Sequence, residues 1–163
     1  MAPQRSVILT ASLALLLGCS NKGTEPRDNS VLLGVDLAGT PVTIEEYRGQ
    51  IVLATYWVTW SQWSDRQLRT LDSLQAEHPT DVALVAVAFG TSADSVARYL
   101  EDRPVKVRVA SDDGTAMGAL TNSRAFPTTL AFTKRGERYA DLRGYRVLSE
   151  LRTTVLAAQQ SDQ

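Results

Sequence analysis

Two continuous β-prone runs, Ile51–Trp57 and Val82–Phe89, constrain the fold of this chain most strongly, and neither contains a charged residue. A strand that is apolar on both faces must be covered on both faces, as in the centre of a parallel sheet. Between the two runs, Ser64–Glu77 has the periodicity of a helix. The sequence therefore predicts a β-α-β unit as the centre of the fold.

The predicted helix Ser64–Glu77 is amphipathic. Its leucines repeat at three-residue spacing, and a proline follows its end. Ser64 and Gln67 match the two key positions of a capping box, in which a hydroxyl and a side chain three residues later satisfy free N–H groups of the first turn. We therefore expect Ser64 to be the N-cap of this helix.

The remaining segments extend this unit on both sides. Val31–Val35 and Val42–Ile44 flank turn residues and predict an N-terminal β-hairpin, which a helical turn over Glu45–Arg48 follows. Further elements are expected as helices over Ala93–Asp102, Thr115–Leu120 and Val147–Ala158, and as strands over Val105–Val109, Thr128–Thr133 and Arg138–Leu142. The pattern predicts an α/β fold with a central mixed β-sheet flanked by helices.

The N-terminus is typical of an export signal rather than of a folded element. Arg5 precedes the apolar stretch Val7–Leu17, which is too short to span a bilayer comfortably. The stretch ends in Leu-Leu-Gly-Cys, which resembles the lipobox of bacterial lipoproteins. We expect residues 1–18 to be a lipoprotein signal peptide and Cys19 to carry the lipid. An ordinary secretory signal with a chance cysteine, or an uncleaved anchor, are the alternatives.

Residues 19–30 are polar and lack periodicity, so we expect the lipidated cysteine to be followed by a flexible tether. The folded domain is expected over residues 31–160. In the sorting of such lipoproteins an aspartate after the cysteine favours the inner membrane, so Ser20 favours the outer membrane. The expected location is the cell envelope, with the domain anchored by lipid and facing the periplasm or the exterior.

Composition narrows the possible functions. The chain has 163 residues, of which 44% are hydrophobic, and this suits one compact domain. A net charge of -1 provides no field that would select a nucleic acid. One histidine, two methionines and a single cysteine, Cys19, cannot supply the usual imidazole or thiolate ligands, so neither a metal nor another cofactor is expected. With Cys19 lipidated, the domain would hold no thiol and no disulfide.

Three segments share their order and spacing with known motifs. They are Asp36–Ile44 with Tyr47–Leu53, then Trp57–Ser64 (WVTWSQWS), then Arg124–Leu130 (RAFPTTL). Together they resemble the TlpA/ResA-type thioredoxin-like family, also called the redoxin group, over about Val31–Ala158. The resemblance implies a thioredoxin-like fold, a cis peptide bond before Pro127, and a hairpin turn at the glycine of Lys-Arg-Gly-Glu.

The resemblance fails at the catalytic positions, because Ser61 and Ser64 stand where the family has its two cysteines. In the family one thiolate attacks a substrate disulfide and the other resolves the mixed disulfide. A serine hydroxyl is far less acidic than a thiol, and a helix dipole contributes only about 1 kcal/mol or less at exposed sites. We therefore expect no dithiol redox activity, and for the same reason no thiol peroxidase activity.

A hydrolytic role for the serines is not expected either. A serine nucleophile needs a general base within about 3 Å. The single histidine, His78, follows Ser64 by fourteen residues along the predicted helix, which places it roughly 20 Å away at about 1.5 Å per residue. We expect Ser61 to be a small polar replacement.

The resemblance also implies a peptide groove beside the former catalytic loop. The residues expected to contact an extended segment of an envelope protein are Trp60, Gln62, Trp63, Phe126, Pro127 and Thr128. Exposed tryptophans often anchor protein contacts. The alternative is that Trp57 and Trp60 fill the core or shield the helix start, and Trp63 is equally open to both interpretations.

A basic cluster near the C-terminus has two interpretations. It comprises Lys134, Arg135, Arg138, Arg143 and Arg146, interleaved with Glu137 and Asp141. Such a cluster either meets anionic lipid head groups or an acidic partner, or forms a solvated face.

Three functions follow from these observations. The leading hypothesis is a membrane-anchored, redox-inactive module that binds a protein or peptide. The second keeps the family's thiol-disulfide oxidoreductase activity, with thiols from a partner or with cysteines natively present at positions 61 and 64. The third is a structural lipoprotein.

Overall fold

A computed structural model of the protein describes residues 30–161. Within that range the strands are β1 (Leu32–Asp36), β2 (Pro41–Thr43), β3 (Ile51–Trp57), β4 (Val82–Phe89), β5 (Arg108–Asp112), β6 (Thr128–Phe132) and β7 (Arg138–Arg143). The α-helices are α1 (Gln62–Glu77), α2 (Ala93–Glu101), α3 (Thr115–Leu120) and α4 (Leu148–Gln160), and a 3-10 helix spans Ile44–Tyr47. The expected signal peptide and Cys19 lie outside the described residues.

One sheet contains all the strands of residues 30–161, in the order β2-β1-β5-β4-β3-β6-β7. The strands β3, β4 and β5 are parallel, whereas the pairs β1–β2, β1–β5, β3–β6 and β6–β7 are antiparallel. This confirms the predicted α/β fold, in which a central mixed sheet is flanked by helices and preceded by an N-terminal β-hairpin. No helix in this part of the chain is long and apolar enough to cross a bilayer.

The central strands are buried as their sequences predict. Every residue of β3 is buried, and so is every residue of β4 except Phe89. Alternate residues face opposite layers of the core: Leu53 and Trp57 pack on one side, and Tyr56 on the other. The predicted leucine stripe of α1, Leu68, Leu71 and Leu74, is buried in the layer that contains Leu53.

The position of β5 corrects the predicted strand Val105–Val109. The N–H groups of Lys106 and Val107 donate to one carboxylate oxygen of Asp72 on α1, at 2.7 and 3.3 Å. The chain is thereby attached to α1, and pairing with β4 begins only at Arg108, opposite Val85. A carboxylate distant in sequence therefore displaces the start of the strand.

The β6–β7 hairpin turns at Gly136, which has a φ of 75°. Its N–H donates to the carbonyl of Thr133 at 2.8 Å. A Cβ at this position would lie 2.7 Å from Cγ2 of the buried Ile44. The turn therefore needs a glycine for both its backbone conformation and its close packing.

Candidate functional site

The N-terminus of α1 is capped by Ser61. Its backbone is extended, with φ -106° and ψ 118°, and its Oγ accepts the N–H of Ser64 at 3.4 Å. The helix therefore begins at Gln62, and the prediction that Ser64 is the N-cap is wrong. Ser64 is the third residue inside the helix, where its N–H is one of the free donors that a cap satisfies.

Ser64 has a different structural role. Its side chain is fully buried, and its Oγ accepts the N–H of Val58 at 3.2 Å. The hydroxyl thus joins the first turn of α1 to the loop that leaves β3. His78 caps the opposite end of α1, where its Nδ1 lies 3.2 Å from the carboxylate of Asp81. The two serines are therefore held by backbone groups, with the histidine at the far end of a 16-residue helix.

The three tryptophans of the motif differ sharply in exposure. Trp57 is completely buried, and its ring centroid lies 5.3 Å from that of Tyr99. Trp60 is 79% exposed and Trp63 is 45% exposed. The interpretation of Trp57 as a core residue is confirmed. Trp60 does not fill the core, and whether it shields the start of the helix stays a prediction. Gln62 is exposed between the two outer tryptophans.

The hydroxyl of Tyr99 donates to the carboxylate of Asp65 on α1. Burial, followed by this carboxylate, raises the pKa of Tyr99 to about 12. Tyr99 therefore stays neutral at physiological pH and joins α2 to the first turn of α1.

The peptide bond between Phe126 and Pro127 is cis, as the resemblance implied. Pro127 is buried, and its carbonyl accepts the N–H of Gly144 at 2.8 Å. The ring centroid of Phe126 lies 4.8 Å from that of Phe89 at the end of β4. The proline loop is therefore attached both to the end of β7 and to a central strand.

A series of hydrogen bonds fixes the rest of this loop. The hydroxyl of Thr121 donates to Asp141 at 2.9 Å, and the hydroxyl of Thr128 donates to the carbonyl of Ala125 at 2.7 Å. The hydroxyls of Ser123 and Thr128 lie 2.8 Å apart. Partial burial opposes ionisation of Asp141, but hydrogen bonds from Arg138 and Thr121 hold its pKa below the usual value. The hydroxyl of Thr128 is thus engaged inside the loop.

The start of α1 and the proline loop meet at an open groove. Trp63, Phe126, Gly144 and Tyr145 line it, and its volume is about 390 Å³. The ring centroids of Trp63 and Tyr145 are 5.8 Å apart. Of the residues predicted to bind a segment, the structure therefore brings Trp63 and Phe126 together. Trp60, Gln62, Pro127 and Thr128 are close in sequence to these two but do not line the groove.

Gly144 and Tyr145 are the groove residues that the sequence did not reveal, and Gln67 is the reason for their position. Gln67 is fully buried, and its Oε1 accepts the N–H of Arg146 at 2.7 Å while its Nε2 donates to the carbonyl of the same residue at 3.4 Å. The side chain thereby holds the β7–α4 loop against α1. The sequence contains one signal for this contact. Gln67 lies on the same apolar face of α1 as Leu71 and Leu74, and a buried amide needs hydrogen-bond partners.

The basic cluster is largely paired with acidic side chains. Arg135 lies 3.2 Å from Glu137, Arg146 lies 3.6 Å from Glu150, and Arg138 pairs with Asp141. This arrangement fits the interpretation of the cluster as a solvated face. Among residues 30–161, no three His, Cys, Asp or Glu side chains are grouped so that they could hold a metal ion.

These features define a thioredoxin-like fold, and solved structures share it. StoA from Bacillus subtilis has a TM-score of 0.64 and 18% identity, covering 77% of this chain and 96% of that one. The pneumococcal exposed lipoprotein thioredoxin from Streptococcus pneumoniae has a TM-score of 0.68 and 16% identity, covering 79% and 98%. A secreted Mycobacterium tuberculosis disulfide oxidoreductase has a TM-score of 0.64 and 16% identity, covering 76% and 93%.

The sequence is also related to that of a curated protein. The thioredoxin-like protein YneN of Bacillus subtilis is 26% identical over an alignment of 110 residues, and the match covers 61% of this chain and 60% of YneN. The matched region thus spans less than two thirds of that relative. No family model matches the chain.

Proposed function

We propose that this chain is an envelope-anchored, thioredoxin-like binding module that docks an extended protein segment and has no dithiol redox activity. The observation that carries the proposal is the pair of oxygen atoms at Ser61 and Ser64. Both hydroxyls accept backbone N–H groups at the start of α1, in a scaffold that keeps the cis-proline loop.

Disulfide exchange requires a thiolate that attacks and a thiol that resolves. The only cysteine of the chain is Cys19, outside the thioredoxin-like domain. The domain can therefore neither form a mixed disulfide nor store an electron pair as an internal disulfide. The peptide groove remains the feature that such a scaffold can still use.

The groove supports the binding role. Trp63 and Tyr145 form one aromatic wall, and Phe126 faces them from the proline loop. Aromatic rings at an open surface are frequent anchors of protein contacts because they bury large apolar areas. Trp60, three residues before Trp63 in the same segment, is also exposed.

The envelope location is supported by the lipobox-like sequence that ends at Cys19. Two structural relatives bear descriptions of the same kind, since one is an exposed lipoprotein and another is secreted. We expect Cys19→Ala to abolish metabolic labelling with radioactive palmitate and to release the protein from the membrane fraction. Fractionation of the two membranes then tests whether Ser20 directs the anchor to the outer one.

Two assays test the binding role. In the first, the purified protein should not accelerate the reduction of insulin by dithiothreitol above the blank rate. In the second, a photo-crosslinking residue at position 63 should capture a defined protein in intact cells. The matched control carries the same residue at position 156, because Leu156 is an exposed apolar residue on α4, at 57% exposure.

Insulin turnover by the wild-type protein would support the oxidoreductase alternative. Equal capture from positions 63 and 156, or none from either, would support the structural alternative. Capture of one protein from position 63 alone, reduced by a second substitution Phe126→Ala, is the result that the binding role predicts.

A further inference from the structure

Arg66 lies beside the groove, against two of its aromatic residues. The guanidinium carbon of Arg66 is 5.2 Å from the ring centroid of Trp63 and 5.0 Å from that of Tyr145. Cation–π contacts of this kind hold the planar group against the rings while its N–H edges stay available. In the described part of the chain, Arg66 forms no ion pair with a carboxylate.

A recess of about 260 Å³ lies beside Arg66. Tyr145 lines both this recess and the groove. The rest of the recess lining is Arg69, the hydroxyl-bearing Thr70 and Ser73, and one apolar residue, Leu148. The hydroxyl of Thr70 donates to the carbonyl of Arg66 at 2.9 Å and lies 3.5 Å from the hydroxyl of Tyr145. The Tyr145 hydroxyl can therefore donate either to Thr70 or to a bound acceptor.

Two arginines line the recess, and no carboxylate of residues 30–161 does. Arg66 and Arg69 carry two positive charges, and neither has an ion-pair partner in residues 30–161. The nearby acids lie outside it: Asp65 accepts the hydroxyl of Tyr99 and lines, with Asp102, a separate recess that Arg69 also borders, and Glu150 pairs with Arg146. The recess therefore favours an anionic group with two oxygens that can accept from a guanidinium.

We propose that the groove selects an extended protein segment in which an aspartate or glutamate, held by Arg66 in this recess, lies two positions from an apolar residue packed against Trp63 and Phe126. The proposal rests on the proposed function and names the chemistry of its partner. In an extended segment, residues two apart point to the same side and are separated by about 7 Å. At that spacing the acidic side chain can lie on the Arg66 side of the Tyr145 ring while the apolar side chain lies on the groove side.

The experiment is selection from a library of random peptides displayed on phage, with three forms of the purified protein as bait. The wild type should enrich Asp or Glu two positions from an aromatic or aliphatic residue. Arg66→Glu should lose this preference and enrich Lys or Arg at the same position. Arg98→Glu is the matched control, because Arg98 is an exposed arginine on α2, and it should keep the wild-type preference.

Selected peptides then give the size of the effect. Replacement of the acidic residue by its amide should weaken binding to the wild type about fivefold to tenfold at low salt, and less in high salt. The same replacement should leave binding to Arg66→Glu unchanged or improve it. Equal urea midpoints for the wild type and both variants would establish that all three are folded.

The remaining outcomes separate this inference from the function on which it rests. Enrichment of apolar residues without acidic ones would overturn the inference and leave the binding role intact. Failure of every form to enrich any sequence would overturn both. Binding of the wild type, but not of Arg66→Glu, to vesicles containing phosphatidylglycerol, without peptide enrichment, would assign the recess to lipid head groups and overturn the inference.

Discussion

The N–H of Ser64 donates to the hydroxyl oxygen of Ser61 at 3.4 Å, so the two serines of the WVTWSQWS segment are hydrogen-bonded to each other. The hydroxyl of Ser64 in turn accepts the N–H of Val58. The two serines can therefore stabilise the first turn of α1 by hydrogen bonding alone, without a reaction at either hydroxyl.

The two hydroxyls should differ in their contribution to stability. Ser61→Ala removes an N-cap and should lower the free energy of unfolding by about 1 kcal/mol. Ser64→Ala leaves the buried N–H of Val58 without its partner and should cost about 1–3 kcal/mol. Urea denaturation measures both values. Ser73→Ala, at an exposed position on α1, serves as the control and should change the midpoint little. A Ser64→Ala variant as stable as the wild type would contradict the role assigned to its hydroxyl.

Two cysteines at these positions should restore redox chemistry. In the Ser61→Cys/Ser64→Cys double variant, the first thiol would lie at the helix N-terminus, where the helix dipole lowers its pKa, and the second would lie buried to resolve the mixed disulfide. We expect this variant to reduce insulin and each single variant to remain inactive. Mass spectrometry after alkylation verifies that the disulfide forms. A double variant that forms the disulfide but lacks activity would show that the surrounding site, and not only the missing sulfur, has changed.

Gly136 should tolerate alanine less well than Gly39. Both have positive φ values, 75° and 91°, so alanine at either position costs about 1–2 kcal/mol of backbone strain. Only at Gly136 would the added Cβ also meet a buried atom, Cγ2 of Ile44 at 2.7 Å, whereas nothing lies within 4 Å at Gly39. We expect Gly136→Ala to be the less stable variant by a further ~1–3 kcal/mol in urea denaturation. Equal losses would indicate that the hairpin moves away from Ile44 without cost.

Asp141 should make stability depend on pH in the acidic range. Burial opposes its ionisation, but its hydrogen bonds from Arg138 and Thr121 lower the pKa in the folded state. A lowered pKa contributes stability that is present above the unfolded value of about 3.9 and is lost as the pH falls through the folded value. Asp141→Asn should therefore unfold with a shallower dependence on pH between neutral pH and pH ~3. Arg138→Gln removes the two N–H groups that Arg138 donates to Asp141 and should flatten the curve in the same direction. Acid titration followed by circular dichroism tests this, and an unchanged slope for Asp141→Asn would contradict it.

The central strands could be predicted from the sequence because each carries its own constraint. In β3 and β4 nearly all positions are apolar, so each strand must be buried on both faces. The bounds predicted from the sequence are therefore the same as those of the strands in the structure. The start of β5 depends instead on Asp72, which is 34 residues from Lys106 in sequence. No local pattern contains that contact, and the predicted strand was therefore placed too early.

The same distinction applies to the candidate site. The motif revealed Trp63 and Phe126 because they lie next to the serines and the proline. The contact between Tyr145 and Arg66 depends on the position of the β7–α4 loop. Gln67 holds that loop through Arg146, which is 79 residues away in sequence. The assignment of the cap failed for a smaller reason. Two serines three residues apart both suit a helix start, and only the backbone conformation of Ser61 distinguishes them.

The strands β2 and β7 lie at the two edges of the sheet. The side chains of β7 affect whether two copies of the protein can pair along that edge. Exposed edges offer unpaired backbone groups to other chains, and charged side chains oppose such pairing. Arg138, Asp141 and Arg143 lie along β7, so a second copy aligned on that edge would have to desolvate charged groups. The outer strand therefore protects the protein from edge-to-edge aggregation at high concentration.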